Sequence, residues 1–433
     1  LKRMESFHQT TLQTVQWFVF LLASSVALPI VIGSIYEMSF TDVSGLMQRT
    51  LFIVGIACFL QGWFGHRLPI ADGPAGIWIS TFTVYAVTAT QHGETLGDTL
   101  RILETAMLLT GLFLIIMGVL KLSQKVIPIF TPLVTGAFLF MLTIQLSGTF
   151  LSGMLGLSGD NTVAQLDAAM ISFFVFFFVL GFSIFWKGPL KNYGVLIGIA
   201  AGWVLDAIIR GNEQLNVTLP FFELPEIFAW GLPKWDIGTI PIAFLTAVIL
   251  LSNIVASLGA ANYAIKRDST FRSEQMNRGS LTLGINQGIS GLFSGVAVVT
   301  LASSSGFIEL TGQKKKRPFM YASLLLVIIA LFPPIVAFIS MMPSPVANAA
   351  LMATFVQLLG IGLNNIASQK LDQRRLTILG ITFLIGIGIM FMPPETFEGF
   401  PSLIQNLVSN GLLMGTILVI LLENLWRETT VEA

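Results

Sequence analysis

Gly295-Val296-Ala297-Val298-Val299-Thr300-Leu301-Ala302-Ser303-Ser304-Ser305-Gly306 is the stretch on which the fold turns. It lies in an apolar span, 297–313, yet it does not read as one helix. A β-branched, extended-looking run comes first, then small residues, then a helical stretch. A second stretch has the same build. Leu68-Pro69-Ile70-Ala71-Asp72-Gly73-Pro74-Ala75-Gly76 opens the span 69–90. Proline and glycine interrupt regular helix, and unpaired backbone is not tolerated in lipid. Both stretches must therefore face protein or a water-filled cavity.

The rest of the chain supplies the membrane. Of its 433 residues, 54% are hydrophobic and only 11% are charged, and the net charge is zero. A soluble domain of this length carries far more charge, and a neutral chain is no partner for nucleic acid. Fourteen apolar spans can be drawn, at 14–34, 48–65, 69–90, 98–120, 126–150, 168–187, 192–210, 240–263, 276–295, 297–313, 318–341, 346–366, 374–391 and 402–426. Most approach the roughly 20 residues needed to cross the hydrocarbon. With this division, 19 of the 23 Lys and Arg residues fall on the side of the N-terminus. The exceptions are Arg49, Arg101, Arg210 and Lys234. Basic loops stay in the cytoplasm during insertion, so both termini are expected there, in a multi-pass plasma (inner) membrane protein.

The two irregular spans are the third of the first seven and the third of the second seven. An odd number of spans per half forces the halves into opposite orientations. The expected fold class is therefore an all-α polytopic membrane protein, 14 transmembrane segments in a 7+7 inverted repeat. Its half-helix and short-strand segments, 3 and 10, cross at the midplane. Broken helices at matching positions mark the substrate site of a duplicated transporter, where half-helix ends present free N–H groups. Close packing at Gly and Pro is the plainer explanation for a single interruption, but less so for two in register.

Other features exclude more than they assign. The lone cysteine, Cys58, rules out an internal disulfide framework and reads as inert filler. The first span has no small-residue cleavage site and reads as a retained helix. His8, His66 and His92 lie near span ends or loops, with no metal or nucleophile constellation, so an enzyme is not expected and no cofactor is implied. Residues 212–235 form an outside loop with Glu213, Glu223 and Glu226, and Lys314-Lys315-Lys316-Arg317 reads as a topology anchor meeting anionic lipid headgroups.

Several motifs then resemble one family. Gln16-Trp17, Ala27-Leu28-Pro29 and Gly33 are similar to the opening of the nucleobase–ascorbate transporters, the nucleobase:cation symporter-2 family of uracil, xanthine and uric acid permeases. Leu68-Pro69 resembles that family's entry to its broken helix, and Gly291-Leu292-Phe293-Ser294-Gly295 its turn before span ten. Ser303-Ser304-Ser305-Gly306 through Thr311-Gly312 occupies the place of the family signature, and Asn410-Gly411-Leu412 with Gly415-Thr416 resembles its last span. The departures fall on polar positions. Ser303 stands for the signature's acid or amide, Ser304 for its Asn, Ser252 (before Asn253) for a span-eight glutamate, and Trp17 for a histidine.

The resemblance implies a small-molecule nucleobase as substrate, uptake by symport with a coupling ion that is H+ in bacterial members, an elevator-like motion and a homodimer through the gate. The moving parts would be a core, 12–121 (spans 1–4) with 240–341 (spans 8–11), and a gate, 126–210 (spans 5–7) with 346–426 (spans 12–14). A planar base needs acceptors for its N–H groups, donors for its carbonyls and apolar walls. Asp72, Gly73, Ala75, Ser252, Asn253, Ser303, Ser304 and Gly306 are the expected substrate contacts, with Trp17, Trp78 or Phe307 flanking the ring. Asp72 and Glu309 are the expected proton-coupling acids, since ionisable groups within a bilayer are functional candidates. Asp72 reads equally as a cap of the following half-helix, and Glu309 as a partner of a neighbouring helix. Asp206 reads as interfacial. Two rivals remain: a same-fold inorganic anion permease of the sulfate type, and a channel or membrane scaffold. Which base is carried is not legible, because the discriminating positions are the altered ones.

Overall fold

The computed structural model describes residues 2–74, 76–92, 95–122, 125, 127–157, 163–187, 193–211, 219–266, 272–397, 399–401 and 408–426. Ala75, Lys191, Glu213, Arg267 and Arg427 lie outside them. Every expected span has a counterpart. The first seven are α1 Lys2–Ser25 with α2 Ala27–Ile35, α3 Phe40–Trp63, β1 Asp72–Pro74 with α4 Gly76–His92, α5 Leu96–Val119, α6 Pro132–Met154, α7 Leu166–Phe185 and α8 Gly194–Arg210. The second seven are α9 Thr239–Lys266, α10 Ser273–Leu292, β2 Val298–Thr300 with α11 Ser303–Thr311, α12 Lys316–Ala330 with α13 Pro333–Ser340, α14 Ser344–Ala367, α15 Gln373–Met390 and α16 Gly411–Leu425.

Among the described residues, eight helical segments are by themselves long and apolar enough to span a membrane. The remaining spans fall short for visible reasons. Those containing α4 and α11 are broken by their strands, α8 and α16 are short, and α10 is rich in polar residues. The eleventh span is bent by 93° between α12 and α13. There Pro333 and Pro334 remove backbone donors, and the helix cannot continue through them. This bend, and the break at Val26 between α1 and α2, were not among the expected irregularities.

Helix packing carries the repeat. α5 packs on α10, and moving seven spans along gives α12 on α3, which also pack together. The pair α1 and α12 maps in the same way onto α9 and α5. In the other half of each repeat, α7–α8 maps onto α15–α16, and α7–α14 onto α15–α6. The α6–α14 pair and the β1–β2 pair map onto themselves. Contacts related by such a shift are what a two-fold axis in the membrane plane generates.

Glycines set the distance at the axis. A Cβ on Gly136 of α6 would lie 2.6 Å from the carbonyl oxygen of Gly362 on α14, and one on Gly362 would lie 3.1 Å from that of Gly136. Such approach brings two backbones into dispersion contact, which drives helix association where lipid is as apolar as the helices.

Residues 219–238, before α9, are tied to the helices. Gln48 Nε2 donates to the Glu223 carbonyl at 3.0 Å, Phe228 N to Leu292 O at 2.8 Å and Lys234 N to Arg101 O at 3.1 Å. The four cations that break the charge rule are each held. Arg49 Nε donates to Ser294 O at 3.0 Å, Arg101 and Lys234 both meet Asp98 at 3.4 Å, and Arg210 meets Asp167 at 2.5 Å and Asp206 at 3.8 Å. Asp206 thus sits in an ion pair at the end of α8.

Candidate substrate site at the crossed half-helices

β1 and β2 form a two-stranded antiparallel ladder, with Asp72 opposite Thr300, Gly73 opposite Val299 and Pro74 opposite Val298. Leu301 N extends it by donating to Ala71 O at 2.8 Å. A ladder of two strands leaves two outer edges of unpaired backbone, and these must find partners inside a membrane protein. On the β2 edge, Asn253 Nδ2 and Ser257 Oγ donate to Thr300 O at 2.7 and 3.1 Å, and Gln287 Nε2 donates to Val298 O. On the β1 edge the partner is Cys58. Its thiol donates to Asp72 O at 3.3 Å and its sulfur accepts from Asp72 N at 3.2 Å. Cys58 is therefore an edge cap, not filler. Ser304 Oγ accepts from Ala71 N at 2.9 Å and ties α11 to the foot of β1.

The Asp72 side chain is fully buried. Its Oδ2 accepts from Gln61 Nε2 of α3 at 3.2 Å and from Asn286 Nδ2 of α10 at 3.1 Å. The Thr300 hydroxyl, across the ladder, faces the same carboxylate. Among the described residues no Lys, Arg or His pairs with it. A second fully buried acid, Glu104 of α5, accepts from the Ser294 hydroxyl beside Arg49.

The ends of the two half-helices differ. α11 starts at Ala302 and Ser303, both exposed, with no side chain capping its N-terminus. Ser305 Oγ donates back to Ala302 O at 2.6 Å, and a Cβ on Gly306 would meet nothing within 4 Å. The helix stops at Gly312, whose φ of 67° belongs to the left-handed region that glycine enters freely. The start of α4 is closed instead. A Cβ on Gly76 would lie 2.4 Å from Cζ of Phe355 on α14. Phe355 is braced edge-on by Phe150 of α6, with ring centroids 4.9 Å apart.

The expected residues are thus distributed as follows. Asp72, Gly73 and Ser304 are in or against the ladder, and a Cβ on Gly73 would come within 2.8 Å of Leu301. Ser252 and Asn253 are half-buried on α9, the latter with its amide on the ladder. Ser303 and Gly306 line the open end of α11, Glu309 is exposed further along it, and Ala75 lies outside the described residues. The aromatic rings pack on one another. Trp17 and Phe307 are both buried with centroids 4.4 Å apart, Phe20 and Phe319 close on the same cluster, and Trp78 is buried in α4. Gln61, Asn286, Gln287, Ser257 and Glu104 were missed. The adjacent amides Asn286-Gln287 in the middle of a span carried a readable signal, since polar groups at membrane depth need partners.

Outside the spanning helices, burial holds the His66 imidazole far below its ordinary range, at about 3. Its Nδ1 accepts from Leu68 N at 3.1 Å, just before β1.

Comparison with known proteins agrees with this architecture. The family model for xanthine/uracil permeases, described as a permease family, matches residues 8–395. The chain is 31% identical over 427 residues to the putative purine permease YwdJ of Bacillus subtilis (strain 168), covering 96% of each. It is 27% identical over 433 residues to the uric acid permease PucJ of the same organism, covering 97% of this chain and 93% of the other. In fold it is similar to the transmembrane domain of the cyanobacterial bicarbonate transporter BicA, with a TM-score of 0.63 at 15% identity over 94% of this chain and 96% of that one. A broken-helix crossing inside an inverted repeat, and a family match over most of the chain, lead to one conclusion: this chain belongs to the xanthine/uracil permeases of the nucleobase–ascorbate transporter family, and it is a membrane transporter.

Proposed function

We propose that the chain imports a nucleobase, a purine or uracil, by proton symport across the plasma membrane, with both termini in the cytoplasm. The observation that carries this reading is the juxtaposition at the ladder. A buried carboxylate, with no counter-cation among the described residues, lies across the ladder from a half-helix end that no side chain caps. Relatives named as purine and uric acid permeases support the substrate class.

In this reading the base sits at the start of α11. The backbone N–H and the hydroxyl of Ser303 donate to its carbonyls, and Ser252, Asn253 and Gly73 border it. The bare side of Gly306 leaves room for a flat ring. Asp72 carries the coupling proton on the far side of the ladder, and Ser304, bonded to Ala71, links the two. Glu309 is a second candidate for the proton. A carboxylic acid in a dry site resists ionisation, and a substrate that binds the protonated form better makes each ligand favour the other. Spans 1–4 with 8–11 act as the sliding core, and spans 5–7 with 12–14 as the gate. Packing that stays mostly within each group supports that division. A homodimer would form through the gate, where Phe173, Phe174 and Phe177 stand exposed on α7.

The test is a thermal-shift panel of nucleobases on the purified chain, with sulfate and bicarbonate included. Stabilisation by xanthine, uric acid, hypoxanthine, guanine or uracil is expected. Stabilisation by an inorganic anion alone would replace this reading with an anion permease, since a bare helix end also suits anions. Asp72→Asn keeps the shape of the side chain and should abolish substrate-dependent proton uptake. Unchanged uptake would remove Asp72 from the scheme.

A further inference from the structure

A groove of about 540 Å³ lies on the outer face of the bundle between α3 and α10, away from the ladder. Its lining includes Leu60, Phe64, Arg67, Arg278, Leu281 and Ile285. The spacing explains its shape. Leu60, Phe64 and Arg67 are at i, i+4 and i+7, running off the end of α3, while Arg278, Leu281 and Ile285 are at i, i+3 and i+7 along α10. The three α10 residues follow one helix face, whereas Arg67 lies beyond the end of α3 with a φ of 61° and is held there by its bond to Trp63 O. α3 lies in span 2 and α10 in span 9, equivalent spans of the two inverted halves that run in opposite directions, so the arginine of each set falls at the same end of the groove.

The depth of that end is marked independently. Trp63 and Phe64, half exposed at 52% and 55%, stack with centroids 4.8 Å apart. Exposed aromatic rings beside arginines belong at the membrane–water boundary. From Arg278 to Ile285 the groove descends about 10 Å along α10, the depth of the upper part of an acyl chain. Its floor is built in advance. Gln61 Nε2 donates to Gly279 O at 3.2 Å and Gln275 Nε2 to His66 O at 3.4 Å, which lock the end of α3 onto α10. Arg67 engages Trp63 O through Nε alone, at 3.2 Å, and Arg278 meets Glu274 at 2.7 Å through one terminal nitrogen. Both guanidinium groups keep further N–H donors for a phosphodiester.

We propose that this groove is a site for one anionic glycerophospholipid, its phosphate between Arg67 and Arg278 and one acyl chain along Leu60, Leu281 and Ile285. The charge fits the occupant: two arginines against one carboxylate, Glu274, leave a net positive lip above an apolar trough, which admits a lipid anion and gives a zwitterion less.

The experiment uses the purified full chain in detergent, with native mass spectrometry and thermal shift against dioleoylphosphatidylglycerol, dioleoylphosphatidylcholine and inorganic phosphate. Phosphatidylglycerol should bind and stabilise more than phosphatidylcholine. In Arg67→Gln/Arg278→Gln its affinity should fall roughly 30-fold, toward that of phosphatidylcholine. Lys314→Gln/Lys315→Gln removes the same charge elsewhere and should keep the preference. Ile285→Trp, which fills the trough while leaving both arginines, should weaken both lipids. A preference that survives in the double arginine variant, or is lost equally in the lysine variant, overturns the proposal. Stabilisation by phosphate alone equal to that by phosphatidylglycerol makes this an anion site and also overturns it.

Discussion

Gly76→Ala probes the contact that closes the start of α4. The added methyl would sit 2.4 Å from Phe355 Cζ, about 1.2 Å inside the ordinary carbon–carbon separation of roughly 3.6 Å. Phe355 cannot simply swing aside, because it is 5% exposed and braced by Phe150. Either the ring leaves its rotamer or α4 parts from α14, and overpacking of this kind costs about 1–3 kcal/mol. The backbone of Gly76 is not left-handed, so alanine adds no conformational strain there. The contact joins the two groups of helices proposed to slide, and the cost therefore falls on conformers in which they meet here. A penalty of about 1–3 kcal/mol shifts such an equilibrium roughly 5- to 150-fold. The assay is a double-mutant cycle on thermal stability and substrate affinity, using Gly76→Ala, Phe355→Leu and the pair. Phe355→Leu removes the colliding ring edge, so Gly76→Ala should be nearly silent in that background. Equal cost in both backgrounds would show that the ring is not the obstacle, and the reasoning would fail.

Two further outcomes follow from residues already placed. Gly136→Ala should lower thermal stability by about 1–3 kcal/mol, because its methyl meets Gly362 O and Ile366 Cγ1 at 2.6 and 2.7 Å. Gly148→Ala on the same helix meets nothing within 4 Å and should be neutral or up to about 1 kcal/mol stabilising, so a common sign for the two would refute the packing argument. His66 is neutral in the folded chain down to about pH 3, while an unfolded histidine takes its proton near 6.5. The unfolded state therefore binds more protons between these values, and stability falls as pH drops through that window, by about 2 kcal/mol at pH 5 from this residue. His66→Asn, which keeps an acceptor for Leu68 N, should lose that part of the acid sensitivity. Parallel melting-temperature profiles from pH 7.5 to 5 would contradict the assignment.

The architecture was legible because membrane insertion writes it into local composition. Fourteen apolar spans, and strand-like interruptions at Asp72–Pro74 and Val298–Thr300, follow from residues within one window. The bend at Pro333–Pro334 was equally local, and it was overlooked because the span around it is uniformly apolar. The site was less legible for a physical reason. Asp72 finds Asn286 from 214 positions away and Ser304 reaches Ala71 across 233. Which faces of two helices meet depends on small residues such as Gly111, where a Cβ would lie 2.6 Å from Gly284 O, and pattern alone does not reveal such pairings. Glu104 was passed over for the same reason, since nothing near it in the chain announces Ser294, 190 residues on.

The engagement of Cys58 has a practical reach. It is the sole thiol in 433 residues, fully enclosed, with both its donor and its acceptor committed to Asp72. A maleimide or spin label added to the wild-type chain should find nothing to modify. A reporter thiol engineered at any accessible position could then be followed alone against a silent background, with no need to strip the native sulfur from the strand it completes.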